Sequence, residues 1–231
     1  RPRVIDMIRL FAEKDFSFKR DEILFAALID NEYSFLAGSL VFSGGKSVPD
    51  FKYGEYLKFV SIPHSHASGY KFNDKIFMTG ALARINLAKD NLHIKTKADA
   101  APYLSLFPSK NIFHNNLAQA IEVLHAVDSS IDIINNLQIK PEQPVSFIRK
   151  AGVGIGVIEA PRGALYYKLE VDPAGKIKTG QIVVPTGQNQ IAIENCIRTY
   201  LEDNIANLED KETVEHEVEK IVRAFDPCMS C

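Results

Sequence analysis

The strongest fold signal in the sequence is an amphipathic pattern that runs through residues 113–137. Apolar side chains recur there at steps of three and four residues, which places them on one face of an α-helix. This face consists of Leu117, Ile121, Leu124, Val127, Ile131 and Ile134. We therefore expect a mainly helical α+β fold, in which long buried helices form the centre and a small antiparallel sheet is added.

Four further helices are predicted from hydrophobic periodicity. They cover residues 4–11, 21–40, 189–205 and 212–225. The segment at 21–40 is apolar on nearly all sides, which is typical of a buried helix. Residues 50–110 follow no clear period, so the sequence predicts extended segments and turns there, with a loop around His64 and His66.

The small antiparallel sheet is predicted after residue 152, where the hydrophobic period changes. Its three strands cover residues 153–158, 164–171 and 176–184. Asp172, Pro173 and Gly175 suit a hairpin turn between the second and third strands. Gly154 and Gly156 in the first strand indicate a close approach of another backbone or of a ligand.

Composition restricts the class of protein. The chain has 231 residues, of which 46% are hydrophobic and 24% charged, as is usual for a soluble globular protein. A net charge of -2 provides no basic surface for nucleic acid. Since no apolar run approaches the roughly 20 residues of a membrane span and no secretory signal is present, we expect a cytoplasmic protein. We expect one domain over residues 1–231 and, because Arg1 is not Met, a fragment of a longer chain.

Cysteine usage indicates metal or redox chemistry. The chain has three cysteines, an odd number that does not suit a disulfide framework. Cys228 and Cys231 form a Cys-x-x-Cys pair, a spacing at which two thiolates can hold one soft metal ion. Pro227 keeps Asp226 out of the right-handed α region, so the helix before it should end near Phe225 and deliver the pair.

Two familiar Cys-x-x-Cys sites fit this chain poorly. A zinc site needs about four ligands, and here the other two would come from isolated residues such as His64, His66 or His216. A thioredoxin-like motif lies between an early strand and a helix rather than at a terminus. Cys196 is predicted to be a small apolar residue within a helix.

Two more clusters carry polar groups next to strands. The first is Glu159-Ala160-Pro161-Arg162-Gly163, and the second is Val184-Pro185-Thr186-Gly187-Gln188-Asn189. Arg162 offers a rigid fork of donors that suits a bound anion, although a surface turn with an ion-paired arginine has the same pattern. Thr186 offers a hydroxyl at a strand-to-helix junction, where a simple N-cap is the alternative.

The order of these motifs, with Asp226-Pro227-Cys228-x-x-Cys231 last, resembles the C-terminal half of the large subunit of nickel-iron hydrogenases. The segment Gly80-Ala81-Leu82-Ala83-Arg84, together with His64-Ser65-x-Ala67, resembles the cytoplasmic, cofactor-coupled branch of that family. The resemblance covers essentially the whole chain, with three motifs in register.

The resemblance implies a metal centre and its ligands. Cys228 would be a terminal nickel thiolate, and Cys231 would bridge nickel to an iron that carries carbonyl and cyanide ligands. Soft sulfur suits both metals. Arg162 would lie over the open coordination position and hydrogen-bond one cyanide.

The remaining site residues implied by the resemblance surround that centre. Thr186 and the backbone of Val184 and Pro185 would hold the other cyanide. Asp226 and Pro161 would line the same canopy, with Asp226 paired near Arg162.

The resemblance also implies an activity and partners. The activity would be reversible oxidation of dihydrogen, with Cys228 or Arg162 accepting the proton. Electrons would pass through a hydrogenase small subunit with iron-sulfur clusters, and then through diaphorase-type subunits, to NAD(P) or a deazaflavin. The family's N-terminal cysteine pair and its histidine after the last cysteine are absent, so we expect the isolated fragment to be inactive. The alternative is a non-catalytic assembly subunit related to the quinone-reducing respiratory complex, which lacks the nickel thiolates.

Overall fold

The computed structural model describes residues 1–14, 16–33, 35–61, 69–204 and 210–228. The helices of this part are α1 Pro2–Ala12, α2 Tyr53–Tyr56, α3 Ala81–Ala88, α4 Ile94–Leu104, α5 His114–Asn136, α6 Pro185–Asn204 and α7 Lys211–Phe225. The strands are β1 Leu24–Ile29, β2 Ser39–Phe42, β3 Lys46–Pro49, β4 Leu57–Val60, β5 Gly69–Phe72, β6 Phe77–Met78, β7 Gly152–Ala160, β8 Gly163–Val171 and β9 Ile177–Val183. The predicted α+β, mainly helical fold is confirmed.

Helix α5 is the centre of the helical core, as predicted from its periodicity. It contacts α1, α3, α4 and α7. Leu117, Ile121 and Leu124 on its predicted face are buried among the side chains of these neighbours. Further along the same face Ile131 and Ile134 are exposed, so the second half of α5 extends beyond the described core.

The helix predicted over residues 21–40 is wrong, because this segment forms two antiparallel strands. β1 pairs with β2 and β2 with β3, while β1 also pairs in parallel with β6, which gives the order β3-β2-β1-β6. Four consecutive residues of β1 are buried. A strand covered on both faces is apolar throughout, so its sequence lacks the alternation that separates a strand from a buried helix.

The prediction for residues 50–110 is confirmed only in part. Strands β4, β5 and β6 are extended as expected, and the predicted loop around His64 and His66 lies outside the described residues. Helices α3 and α4 were not predicted. Six residues of α3 are buried, including Arg84, so this helix has core on several sides and shows no polar face.

The predicted antiparallel sheet is confirmed in the order β7-β8-β9. Asp172 closes the β8–β9 turn, since its carboxylate accepts the N–H groups of Ala174 at 2.8 Å and Lys176 at 2.9 Å. No described atom lies within 4 Å of a Cβ built at Gly154 or Gly156, so the predicted approach of another backbone is not found within the described residues, and the predicted approach of a ligand stays a prediction.

The last two helices are confirmed. Cys196 in α6 is fully buried, and burial raises the pKa of its thiol to about 12. Asp210 caps α7 by accepting the Thr213 N–H at 2.9 Å. Helix α7 ends at Phe225 as predicted, and Asp226 adopts left-handed backbone angles of φ 47 and ψ 58. Within the described residues no helix is both long and apolar enough to cross a membrane.

Candidate metal centre

The three motifs predicted to form a site meet at the end of α7. The β7–β8 turn carries Arg162, the junction between β9 and α6 carries Thr186, and the segment after α7 carries Cys228. The Cys228 backbone N–H donates to Thr186 Oγ1 at 2.9 Å. Arg162 Nε donates to the Asp226 carbonyl oxygen at 2.8 Å. Two hydrogen bonds therefore tie the C-terminal segment to both other motifs.

Asp226 is the connecting residue of the site. Arg162 Nη2 donates to Asp226 Oδ1 at 3.1 Å, and Gln119 Nε2 of α5 donates to Asp226 Oδ2 at 2.9 Å. The Arg162 and Asp226 side chains are 38% and 37% exposed, so their ion pair is worth little by itself. The pair instead fixes the geometry of the site, because the Asp226 carboxylate links the β7–β8 turn to α5.

The β7–β8 turn is anchored from the protein interior by Arg84 of α3. Arg84 Nη1 donates to the Ala160 carbonyl at 3.1 Å, and Arg84 Nη2 donates to the Pro161 carbonyl at 2.8 Å. These are the two carbonyl groups immediately before Arg162. The conformation of the turn thus depends on a buried guanidinium.

The start of α6 is fixed against the same region by Asn189. Its Oδ1 accepts the Thr79 N–H at 2.9 Å, and its Nδ2 donates to the Thr79 carbonyl at 3.1 Å. Thr79 Oγ1 in turn accepts the Ala164 N–H at 3.0 Å. Thr79, two residues before α3, therefore joins the α6 motif to the β7–β8 hairpin.

Glycines allow the turn to approach this close. A Cβ at Gly163, where φ is 131, would lie 2.5 Å from Thr79 Cγ2. A Cβ at Gly80, where φ is 119, would lie 3.0 Å from the Arg162 carbonyl oxygen. Both positions have positive φ, which side chains rarely tolerate outside the left-handed helical region.

The structure brings together most of the predicted site residues. Those in the described part are Pro161, Arg162, Val184, Pro185, Thr186, Asp226 and Cys228. Cys231 lies outside the described residues. Pro185 is the first residue of α6, and the Val184 carbonyl accepts the Gln188 N–H at 3.2 Å.

The donor set of this site fits one corner of a soft-metal centre. Cys228 is partly buried, and its sulfur is a ligand type that selects nickel and iron over hard cations. Arg162 and Thr186 add polar donors beside it. Among the described residues no group of three or more His, Cys, Asp or Glu side chains could hold a metal ion.

Several residues of this region were missed by sequence reasoning. Arg84 was used only as part of a motif, and Gln119 and Glu122 were not considered. Glu122 is a buried charge beside the apolar face of α5, and this placement was the one available signal. Glu159 was noted within its cluster, but its burial was not foreseen; burial raises the pKa of its carboxyl.

The fold and the site together define a mainly helical α+β protein in which a cysteine segment is hydrogen-bonded to an arginine-bearing turn and to a threonine at a helix start. Residues 63–231 match the model of the family described as "Nickel-dependent hydrogenase". The chain belongs to the nickel-dependent hydrogenase family. The resemblance seen in the sequence is thereby confirmed at the level of the family.

Named relatives agree with this family. The chain is 34% identical over 193 residues to the alpha subunit of sulfhydrogenase 1 of Pyrococcus furiosus, covering 82% of this chain and 44% of that protein. It is 33% identical over 186 residues to one subunit of the F420-non-reducing hydrogenase of Methanothermobacter marburgensis, covering 76% of this chain and 37% of that protein. The chain therefore spans less than half the length of these two relatives.

Solved structures show the same fold. The structure of an NAD+-reducing [NiFe]-hydrogenase in the H2-reduced state matches 100% of this chain and 55% of its own, with a TM-score of 0.78 and 22% identity. The Ni-Fe-Se hydrogenase of Desulfovibrio vulgaris Hildenborough in the reduced state matches with a TM-score of 0.67 and 17% identity, covering 99% and 56% of the two chains. At these identities the likeness concerns the fold alone.

Proposed function

We propose that this chain is the C-terminal half of a nickel-iron hydrogenase catalytic subunit, which oxidises dihydrogen reversibly. One observation supports this most directly: Cys228 is bound through its backbone to Thr186 and lies two residues from the Arg162–Asp226 pair. The family match over residues 63–231 supplies the chemical context for this geometry.

In this proposal several residues of the site hold the nickel-iron centre, each in a different way. Cys228 and Cys231 act as its thiolate ligands from this chain. Arg162 uses two of its five donors on Asp226, and the other three have no acceptor among the described residues, so they are available to a cyanide ligand. When bound, the nickel-iron centre supplies the electrophilic metal that polarises dihydrogen for heterolytic cleavage.

Thr186, like Arg162, has a side-chain donor that can hold a ligand of the centre. Its oxygen already accepts the Cys228 N–H, which orients the hydroxyl. Within the described part of the chain its own O–H has no acceptor, so it is available to the second cyanide. The backbone of Val184 and Pro185 leads directly into this residue.

The proton from dihydrogen is assigned to the Cys228 sulfur. A thiolate is a base of moderate strength, whereas arginine stays protonated in proteins. Arg162 is also held next to the Asp226 carboxylate, at 3.1 Å. Arg162 therefore acts as a fixed positive charge and hydrogen-bond donor above the site.

The proposal includes partners that the printed names of relatives suggest. One relative is the beta subunit of the NAD-reducing hydrogenase HoxS of Cupriavidus necator, 28% identical over 207 residues. We propose a cytoplasmic complex in which electrons pass through an iron-sulfur small subunit, and then through diaphorase-type subunits, to NAD(P) or a deazaflavin. By itself the chain should be inactive, since the resemblance assigns two further nickel thiolates to a motif absent from this sequence.

Replacing Cys228 tests the ligand assignment. In the whole protein, expressed with its partner subunits, Cys228→Ser should abolish nickel incorporation and dihydrogen-dependent dye reduction, because a hydroxyl is a poor ligand for a soft metal. Nickel content per protein molecule is measured by elemental analysis and activity by dye reduction.

A matched control is Cys196→Ala, which removes a cysteine buried in α6 at a distance from the site motifs. This variant should keep its nickel and at least half of its activity. Full nickel content and activity in Cys228→Ser would refute the assignment and would favour a non-catalytic role.

A further inference from the structure

Arg84 is a buried arginine with unusually complete hydrogen bonding. Its side chain is 1% exposed. Besides the carbonyl groups of Ala160 and Pro161, it contacts Glu122 through Nε at 2.6 Å and Nη2 at 2.8 Å, and Glu159 through Nη1 at 2.5 Å. These five bonds match the five N–H donors of a guanidinium.

The two glutamates connect Arg84 to separate elements. Glu122 belongs to α5, and its Oε1 also accepts the Tyr33 hydroxyl at 2.6 Å. Glu159 belongs to β7, and its Oε1 accepts the Leu28 N–H of β1 at 2.7 Å. Each carboxylate is therefore held from a second direction. Arg84 cannot shift without breaking its contacts to both α5 and β7.

The Arg84 cluster fixes the position of the β7–β8 turn at Pro161. The two carbonyl groups that Arg84 binds flank Pro161, whose ring already restricts its φ angle. The next residue is Arg162, which reaches Asp226 and thus the segment of Cys228. Stability alone would be served as well by apolar packing, because buried ion pairs seldom add net stability. We therefore expect the cluster of Arg84, Glu122 and Glu159 to serve mainly to fix the position of the β7–β8 turn.

We propose that Arg84, clamped by Glu122 and Glu159, is a positioning residue that sets the location of Arg162 over the metal centre. This inference rests on the proposed function, since it assumes that Arg162 acts at that centre. Arg84 itself does not contact the reacting atoms. It acts through the backbone of Ala160 and Pro161.

The test is Arg84→Lys in the assembled hydrogenase. Lysine keeps the buried positive charge, so neither glutamate loses its counter-charge, but its compact ammonium cannot serve two carboxylates and two carbonyls in one plane. Turnover should fall roughly 10- to 100-fold at unchanged nickel content. The infrared bands of the cyanide ligands should shift, because the donor above them moves.

The matched control is Arg20→Lys. Arg20 is also a buried arginine, 5% exposed, and it pairs with Glu22 and Asn195 instead of the turn. Its replacement should leave turnover within about twofold and the infrared bands unchanged. Equal losses in both lysine variants would overturn the proposal, because they would reflect a general effect of altered core arginines.

A double-mutant cycle with Arg162→Lys separates positioning from plain stability. If Arg84 acts through Arg162, adding Arg84→Lys to Arg162→Lys should lower turnover by less than about twofold. The same 10- to 100-fold loss in both backgrounds would overturn the proposal. Normal turnover of Arg162→Lys alone, with full nickel, would refute the proposed role of Arg162 itself, and this outcome is visible without any Arg84 variant.

Glu122→Gln is a milder second variant in case Arg84→Lys does not accumulate as folded protein. It keeps one oxygen facing the guanidinium and removes the other. The loss of turnover should be smaller, and it should again vanish in the Arg162→Lys background. An additive loss would count against positioning.

Discussion

Asp226 ends a helix and organises the site at the same time. Its left-handed backbone turns the chain away from α7, and aspartate is one of the few residues that tolerates these angles. Pro227 after it disfavours the right-handed alternative. The two carboxylate oxygens then bind Arg162 and Gln119, so the residue that stops the helix also fixes the direction of the next segment.

Replacing Asp226 separates its backbone role from its charge. Asp226→Ala should destabilise the whole protein by about 1–2 kcal/mol, because alanine resists left-handed angles and both carboxylate contacts are lost. Asp226→Asn tolerates these angles and keeps an acceptor oxygen, so it should lose less. Thermal unfolding midpoints of the two variants measure this difference. Equal midpoints would contradict the proposed backbone role of Asp226.

At the scale of elements, the β7–β8 hairpin packs directly on the start of α3. Gly163 and Gly80 face each other's backbone there, and Thr79 lies between them. Strand β8 can reach this position because the turn has no side chain at Gly163. From the sequence, the close approach was predicted at Gly154 and Gly156 instead, which belong to the exposed part of β7.

A methyl group at Gly163 should disrupt this packing. Gly163→Ala combines a strained positive φ with a contact of 2.5 Å to Thr79, so we expect a loss of about 2 kcal/mol or more and reduced nickel content. Gly154→Ala is the control on the neighbouring strand, where the added methyl meets open space, and it should change stability by less than about 0.5 kcal/mol. Similar unfolding midpoints for the two variants would disprove the close approach.

At the scale of the whole molecule, α5 connects the candidate metal centre to the loop at Tyr33. Gln119 and Glu122 reach the metal-site region, and one turn further His125 is buried against the loop at Tyr33. His125 Nδ1 accepts the His93 N–H at 3.0 Å, and its Nε2–H donates to the Tyr33 carbonyl at 3.1 Å. These two bonds require the neutral imidazole.

Acid should therefore weaken the fold through His125. Burial lowers the pKa of this histidine below its ordinary value of 6.5, so the unfolded chain binds the proton more readily than the folded one. Stability should fall as the pH drops below 6.5. The decline of the unfolding midpoint between about pH 7.5 and 5.5 should be shallower in His125→Gln.

The control for this pH dependence is His216→Gln, which changes an exposed histidine of α7. Its midpoint should follow the unaltered protein across the same pH range. A pH profile of His125→Gln that is indistinguishable from that control would show that His125 does not couple folding to pH.

Local chemistry determined several features that could be predicted from the sequence. The period of α5, the hairpin residues after Asp172 and the stop at Asp226-Pro227 depend on neighbours within a few positions, so the sequence is enough to infer them. The site motifs were recognised for the same reason, since each of Arg162, Thr186 and Cys228 lies in a short characteristic segment.

Only the tertiary structure decided the features that depend on distant partners. Strand β1 looks like a helix in the sequence because both of its faces are covered by segments far along the chain. Arg84 finds Glu122 and Glu159 at separations of 38 and 75 residues, and a charged residue shows no sign in the sequence of whether it will be buried and paired. The sequence by itself determined which groups reach the site, whereas the packing of α3, α5 and β7 decided how firmly they are held.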